Sequence, residues 1–328
     1  MRIVWPLSRD LQEHPNMTTA TTPITNWTTD RLADLTGKRY LITGGNSGVG
    51  YEAAVHLRRA NADVFIASRS ATKGSAAVTA LNEIPGSGNV QLIRLDLASL
   101  ESVRAANDSI REHTDGLDGI VNNAGIMQTP QQQTTDGFEL QFGTNHLGHF
   151  YLNHLTFDLV AARSGRVVPV SSIAHRSAPG IKFDDPMFAK GYSPMTAYSQ
   201  SKLANLMYGL ELARRLDAAG SDVIAVNAHP GYSATNLQST GPTGFFKVIY
   251  KVSNSLMAQK PSLGALPEVL AVAGDEATNG AYYGPTGFGG TRGPVGSADI
   301  SKPALDEAAA ARLWSLSEEL LDITWNIV

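Results

Sequence analysis

The chain has 328 residues, 42% of them hydrophobic and 17% charged, with 26 basic against 30 acidic side chains and a formal net charge of -4. Charge that small and that scattered leaves no footprint for nucleic acid or an anionic membrane surface. The lack of cysteine excludes disulfides, thiol catalysis and thiolate metal sites, and suits a reducing, cytoplasmic setting.

The opening stretch is Thr-rich and aperiodic, and its short apolar start is broken by Pro6. It lacks the apolar core of a secretion signal. Residues 1–28 read as a poorly ordered extension, with Met1 or Met17 as the start, and residues 29–328 as one folded domain. No apolar run approaches the ~18–20 residues of a membrane span. From there, short β-branched runs alternate with helical patterns. RYLIT (39–43) reads as a strand, YEAAVHLRRA (51–60) as a helix, DVFIAS (63–68) as a strand and SAAVTALNEI (75–84) as a helix ending before Pro85. VQLIRLD (90–96), DGIVNN (118–123) and RVVPVSS (166–172) read as strands. Helices fall at 100–113, 145–160 and 197–216. DVIAVNAHPG (222–231) is a sixth strand with its turn, and AYYG (281–284) is a candidate seventh. Pro169 removes a ladder donor, so a local irregularity is expected there. Alternating strands and helices imply right-handed βαβ units. The expected fold is therefore α/β: a single doubly wound parallel-sheet Rossmann domain of six to seven strands with helices on both faces.

TGGNSGVG (43–50) lies between the first strand and the first helix, the context in which a glycine pattern points to a dinucleotide. Gly44, Gly48 and Gly50, with Asn46, Ser47 and Val49 between them, would let backbone approach a pyrophosphate at a helix N-terminus. An NAD site usually carries an Asp or Glu at the end of the second strand, about 20 residues on. That strand ends here in ASRS, and Arg69 stands where the acid would be. A guanidinium suits a 2′-phosphate, so NADP(H) is preferred, with NAD(H) left open.

The chain resembles the short-chain dehydrogenase/reductases over about residues 36–328. The markers are TGGNSGVG (43–50), LDL (95–97), NNAG (122–125), NHLGHF (145–150), VSS (170–172), YSQSK (198–202) and HPG (229–231), in this order. The stretches NHLGHF, SSIAH, SQSKLAN and YYGP are most similar to the retinol dehydrogenase-like branch, which tends to use NADP. The resemblance implies a catalytic tetrad of Asn145, Ser172, Tyr198 and Lys202. It also implies that Asp96 and Leu97 lie near the adenine, that Asn123, Ala124 and Gly125 pass the cofactor ribose, and that Pro230, Gly231 and Thr235 border the nicotinamide. Many members dimerise through helices corresponding to 145–160 and 197–216, so a homodimer is one expected state.

The chemistry is consistent with those residue types. A phenol of pKa ~10 is a weak acid–base catalyst near neutrality, and a neighbouring ammonium lowers that value. Lys202 follows Tyr198 by four, one helical turn away. Ser172 can donate to a substrate oxygen, while Ser171 points to the other side of an extended strand. Asn145 would fix a water near Lys202. His146, His149 and His154 share a helix, but no carboxylate stands near them in a metal-ligating pattern, and no metal is expected. The lid candidates are 173–197 and 232–266, the latter with Phe245, Phe246, Val248, Ile249, Val252, Leu256 and Met257; they imply an apolar small-molecule substrate. Residues 282–296 are a third candidate lining, with the glycine-rich 286–296 as a mobile loop, and 303–321 reads as an amphipathic helix packed on the domain. The competing reading is a catalytically silent NADP-binding regulator or scaffold on the same fold.

Overall fold

The computed structural model describes residues 23–232 and 259–327. Six parallel strands form its centre: β1 (Arg39–Thr43), β2 (Asp63–Ser68), β3 (Val90–Arg94), β4 (Gly119–Asn122), β5 (Arg166–Pro169) and β6 (Ile224–Ala225), in the order β3-β2-β1-β4-β5-β6. The order reverses between β1 and β4, the place where such sheets open a ligand crevice at their carboxyl ends. Helices α1 (Gly48–Arg59), α2 (Ala71–Asn82) and α3 (Leu100–His113) connect the first four strands. Next come α4 (Leu140–Phe142), a π-helical turn at Gly143–Leu147, α5 (Gly148–Ala161) and α6 (Pro194–Ala219).

The alternation of strand side chains sorts the core into two layers. Leu41, Ile120 and Val167 pack with α3, α5 and α6 on one face. Tyr40, Ile42, Val121 and Val168 pack with α1 and α2 on the other. Both faces are covered, which is why the strands read as unbroken apolar runs.

The expected sixth strand, 222–231, divides into β6 and β7 (Asn227–Ala228). β7 leaves the central sheet to pair with β8 (Tyr282–Gly287), and β8 pairs antiparallel with β9 (Arg292–Ser297). Strand β5 ends at Pro169, and only an isolated Val170–Ala228 bridge continues toward this second sheet. The irregularity expected at Pro169 thus coincides with the split between sheets.

Two expectations are corrected here. The glycine-rich 286–296 stretch holds a short 3-10 turn (Phe288–Gly290) and all but the last residue of β9 rather than forming a loose loop. Its glycines serve close approach: Gly293 has φ +117, and a Cβ on Gly296 would collide with the carbonyl of Ile24. The boundary expected at residue 28 falls earlier. Trp27 is 1% exposed, its N–H donates to Val295 O (3.0 Å), and its indole donates to Glu276 (3.1 Å). One buried tryptophan in a Thr-rich stretch leaves no periodic signal, and its burial is decided by β9.

After α7 (Pro261–Gly264) and α8 (Leu266–Ala273), the chain ends in α9 (Glu307–Leu321), which lies on α6. Phe150 of α5 packs against Trp314 (centroids 4.9 Å) and Trp325 (5.1 Å), and His146 bonds Ser317 (2.9 Å). Each such ring pair contributes about 0.5–1.5 kcal/mol beyond the area it buries. Helices α5 and α6 thus share an aromatic cluster with the C-terminal segment.

Candidate active site

A cleft of about 870 Å³ opens at the carboxyl ends of β1, β2, β4 and β5. Gly44, Asn46, Ser47, Gly48 and Val49 line one wall. Gly44 and Gly48 hold φ of +68 and +62, a region that glycine enters at little cost. Gly50 lies behind the wall, where a Cβ would collide with the Asn123 side chain. Ser47 precedes α1 without a side-chain capping bond, so the helix start keeps its N–H groups for the cleft. Gly44 N donates to Ala67 O (2.8 Å), tying the loop to β2.

Arg69 is exposed at the rim, and its carbonyl accepts from Arg94 (2.9 Å). Ser70 caps α2 by accepting from Lys73 N (3.3 Å), and Lys73 also lines the cleft. Lys73 escaped the sequence reading, although a cation four residues past Arg69 in the next helical turn is a usable signal. Asp96 and Leu97 line the wall beyond, and Asp96 accepts from Ala98 N (3.0 Å).

Asn123, Ala124 and Gly125 reach the cleft as expected, held by β1. Asn123 donates to Thr43 O (2.6 Å), and Ala124 N donates to Thr43 Oγ1 (2.9 Å). Thr43 Oγ1 lies 2.8 Å from His149 Nε2, and His149 Nδ1 donates to Asn145 O (2.9 Å). The carbonyl only accepts, which assigns the proton to Nδ1. Burial pushes His149 down to about 4 and His146 down to about 3, so both rings are neutral. Both serve as hydrogen-bonding struts, and no group of three or more metal-ligating side chains occurs among the described residues.

Helix α6 begins at Pro194 behind Ser193 and ends on Gly220 in the left-handed conformation. Its first turns bring Tyr198 and Lys202 to the cleft, where Ser172 also arrives. Ser172 accepts from Ala174 N (3.2 Å) and starts a 3-10 turn, Ile173–Ser177. Ser171 donates to Lys202 O (2.7 Å), locking the strand end to α6. Tyr198 is 8% exposed. Lys202 is buried, and its Nζ donates to Val170 O (3.0 Å). Burial pushes its ammonium down to about 8, while the Glu268 carboxyl acts in the opposite direction.

Asn145 sits in the π-helical turn and is fully buried, off the cleft wall. Its Oδ1 accepts from Ile126 N (2.8 Å), and its Nδ2 donates to Ile126 O (3.0 Å) and Ser201 Oγ (2.9 Å). The side chain is thus committed to positioning the 125–126 turn. A Cβ on Gly125 would stand 3.1 Å from Asn145 Oδ1 and 3.6 Å from Lys202 Nζ, which keeps that position small.

Pro230 and Gly231 line the cleft floor; Thr235 lies outside the described residues, as do 233–258 of the second lid candidate. Of the first candidate, Ile173, Ala174, Ser177 and Met195 form wall. The stretch between them is pinned: Gln200 bonds Lys182 N and Pro186 O, and Tyr192 donates to Thr129 O (2.8 Å). Contrary to expectation, none of the described cleft residues comes from 282–296, because β8 and β9 bind that stretch to the second sheet. Ile126, Met127 and Gln128, not anticipated from the sequence, complete an apolar end beside Met195.

Comparison with known proteins agrees with this geometry. The sequence model of the short chain dehydrogenase family matches residues 38–244. Human retinol dehydrogenase 13 is 37% identical over 298 residues, spanning 89% of this chain and 86% of that protein. The crystal structure of an uncharacterized protein from Mycobacterium Paratuberculosis is similar at TM-score 0.76 and 39% identity, covering 92% of this chain and 100% of the other. A short chain dehydrogenase from Burkholderia cenocepacia, solved in complex with NADP, matches at TM-score 0.59 and 25% identity over 76% of this chain and 96% of its own.

Proposed function

The chain belongs to the short-chain dehydrogenase family, in its retinol dehydrogenase-like branch, as an NAD(P)-dependent oxidoreductase of CH–OH and C=O groups; from that premise we propose that it uses NADP(H) on an apolar small molecule, with Tyr198 as proton donor and acceptor. The observation that carries the reading is convergence. Tyr198, Lys202 and Ser172 open onto the same cleft as the glycine loop and Arg69.

The nicotinamide cofactor supplies or accepts the hydride when bound. The cradle fits such a group: Gly44 and Gly48 hold backbone conformations that side chains resist, and the α1 start faces it. Arg69, with Lys73 behind it, would hold a 2′-phosphate as a pair of cations. Asp96 and Leu97 would border the adenine, and Asn123 to Gly125 the ribose. In reduction, the Tyr198 hydroxyl gives its proton to the carbonyl oxygen, and Ser172 donates a hydrogen bond to the same oxygen as charge develops there. The Lys202 ammonium stabilises the phenolate left behind. Asn145 holds the turn beside Lys202 through its bonds to Ile126. Ile126, Met127 and Met195 give the substrate an apolar wall.

Tyr198→Phe tests the reading. NADPH affinity should stay at the parental value while turnover falls about 10²–10⁴-fold, the usual range for a lost acid–base group. Turnover near parental would remove Tyr198 from the chemistry. Steady-state kinetics with both cofactors tests Arg69: kcat/KM with NADH equal to that with NADPH would refute its assignment.

A further inference from the structure

Helix α8 reads LPEVLAVA, an apolar run with one acid in it. Glu268 is 0% exposed, and neither carboxyl oxygen has a hydrogen-bond partner among the described residues. A buried carboxyl without a partner is costly, and exposed positions for one abound. Its place in the fold is informative. β7 and β8 are parallel, so α8 between them runs antiparallel to the strands. Arg166, at the start of β5, donates to Ala271 O and to Gly274 O (2.7 Å), which puts the C-terminal end of α8 at the strands' amino ends. Val272 touches the Gly119 position at the start of β4. Glu268, one turn earlier on the same side of the helix, therefore lies toward the strands' carboxyl ends, beneath the cleft.

Strand β5 stands between this carboxyl and Lys202. Lys202 reaches the strand's end from the opposite face, with Nζ on Val170 O. It has no carboxylate in an ion pair among the described residues, where the Glu268 carboxyl is the charge that pushes Lys202 up and the Lys202 ammonium the charge that pushes Glu268 down, each against the larger effect of burial. Most other ionisable groups on elements around α8 are engaged elsewhere. His56 of α1 meets Ser262 O (3.2 Å), Arg31 pairs with Glu276, and Tyr283 accepts from Thr278 N (3.3 Å). Arg58, near the C-terminal end of α1, is buried beside Gly86 with Nε and Nη1 unpaired among the described residues, and it exerts no pull on Glu268. Arg292 of β9 stacks on Phe288, and Lys260 is exposed. On the lysine side, His149 is neutral and Tyr198 is the group to be tuned.

We propose that Glu268 is coupled to Lys202 across β5: as it ionises it becomes the lysine's counter-charge, extends the ammonium form to higher pH and so sets the alkaline end of the range in which Lys202 can tune Tyr198. The inference rests on the roles given above to Tyr198 and Lys202. Physically, an ammonium out of water reverts to the amine unless an opposite charge stabilises it. Burial pushes Glu268 up to about 8, so the two groups lose their protons over the same range, in coupled steps that belong to the pair. Glu268 touches neither cleft nor substrate; it acts through Lys202.

The test is an NMR titration of the lysine side-chain ammonium in the full-length NADPH complex, with Lys202→Arg to assign the signal. Glu268→Gln keeps shape and removes the charge. The Lys202 midpoint should fall by about one pH unit or more. In alcohol oxidation, the alkaline limb of the kcat/KM profile should move to lower pH, since the ammonium that tunes Tyr198 is lost earlier. Glu268→Asp should restore most of both shifts. A Lys202 midpoint unmoved in Glu268→Gln overturns the proposal. If that variant does not fold, infrared spectra of parent and Lys202→Met decide instead: the protonated-carboxyl band must titrate at a different pH in the two, and identical titration overturns it. Failure of the underlying reading looks different, as turnover surviving in Tyr198→Phe with the lysine titration unaffected.

Discussion

The two faces of the sheet are built from different materials. The face under α5, α6 and α9 is aromatic and polar: Phe150, Tyr208, Trp314 and Trp325 interlock, and Asn145, His146, His149 and Ser171 are buried in hydrogen bonds. The face under α1, α2 and α8 is aliphatic and small-residued, with Ala53, Ala54, Val121 and Ala271 at its centre and Glu268 as an unpartnered acid. The first face fixes reactive side chains by locking every neighbour. The second brings backbone close to a ligand by removing side chains. Rigid packing and close approach are separate solutions, and each should fail in its own way.

The largest effect is expected on the aromatic face. Trp314→Ala empties a site shared with Phe150, Tyr208 and Trp325, and should cost about 3–5 kcal/mol in urea unfolding. Glu268→Leu should act with the opposite sign. The folded-state pKa of Glu268 is raised from 4.5 to about 8, so the native state binds the proton more tightly than the unfolded chain. Stability from this group is present below about 4.5 and is lost as pH rises to about 8. The leucine variant should therefore gain on the parent across that window, by on the order of 1–3 kcal/mol above it. A Tm difference that is flat with pH would break this contrast between the faces. Gly50→Ala probes close approach: its Cβ would press on Asn123, and loss of about 1–3 kcal/mol in NADPH affinity is expected by fluorescence titration, with little change in kcat. Asp306→Ala is the smallest. It removes the cap on Ala309 N (2.9 Å) and should cost about 1 kcal/mol, with unchanged kinetics.

Much of this was legible from local pattern. The strands at 39–43 and 63–68 and the helix at 100–113 occur where alternation and apolar spacing place them. The glycine loop, Arg69, Ser172, Tyr198 and Lys202 meet in one cleft, because each stands at the end or beginning of an element whose period shows in the sequence. Asn145 was found by motif but is committed to bonds that no motif reveals. Glu268 was invisible, since an acid inside an apolar helix looks like a solvated position until the helix is seen against β4 and β5. The 286–296 stretch misled for a related reason: glycine permits a loose loop and a tightly apposed strand alike, and the choice belongs to β8 and Ile24.

The sequence alone determined what depends on neighbours a few residues apart: the strand and helix periods, the helix stops, the left-handed glycines, the spacing of Tyr198 over Lys202. Only the tertiary structure decided what depends on distant segments meeting in low dielectric: α9 on α6, β9 on Trp27, and Glu268 across the strand from Lys202. Local preference is written in consecutive residues. The energy of a buried charge or a packed ring is set by whatever the fold brings beside it.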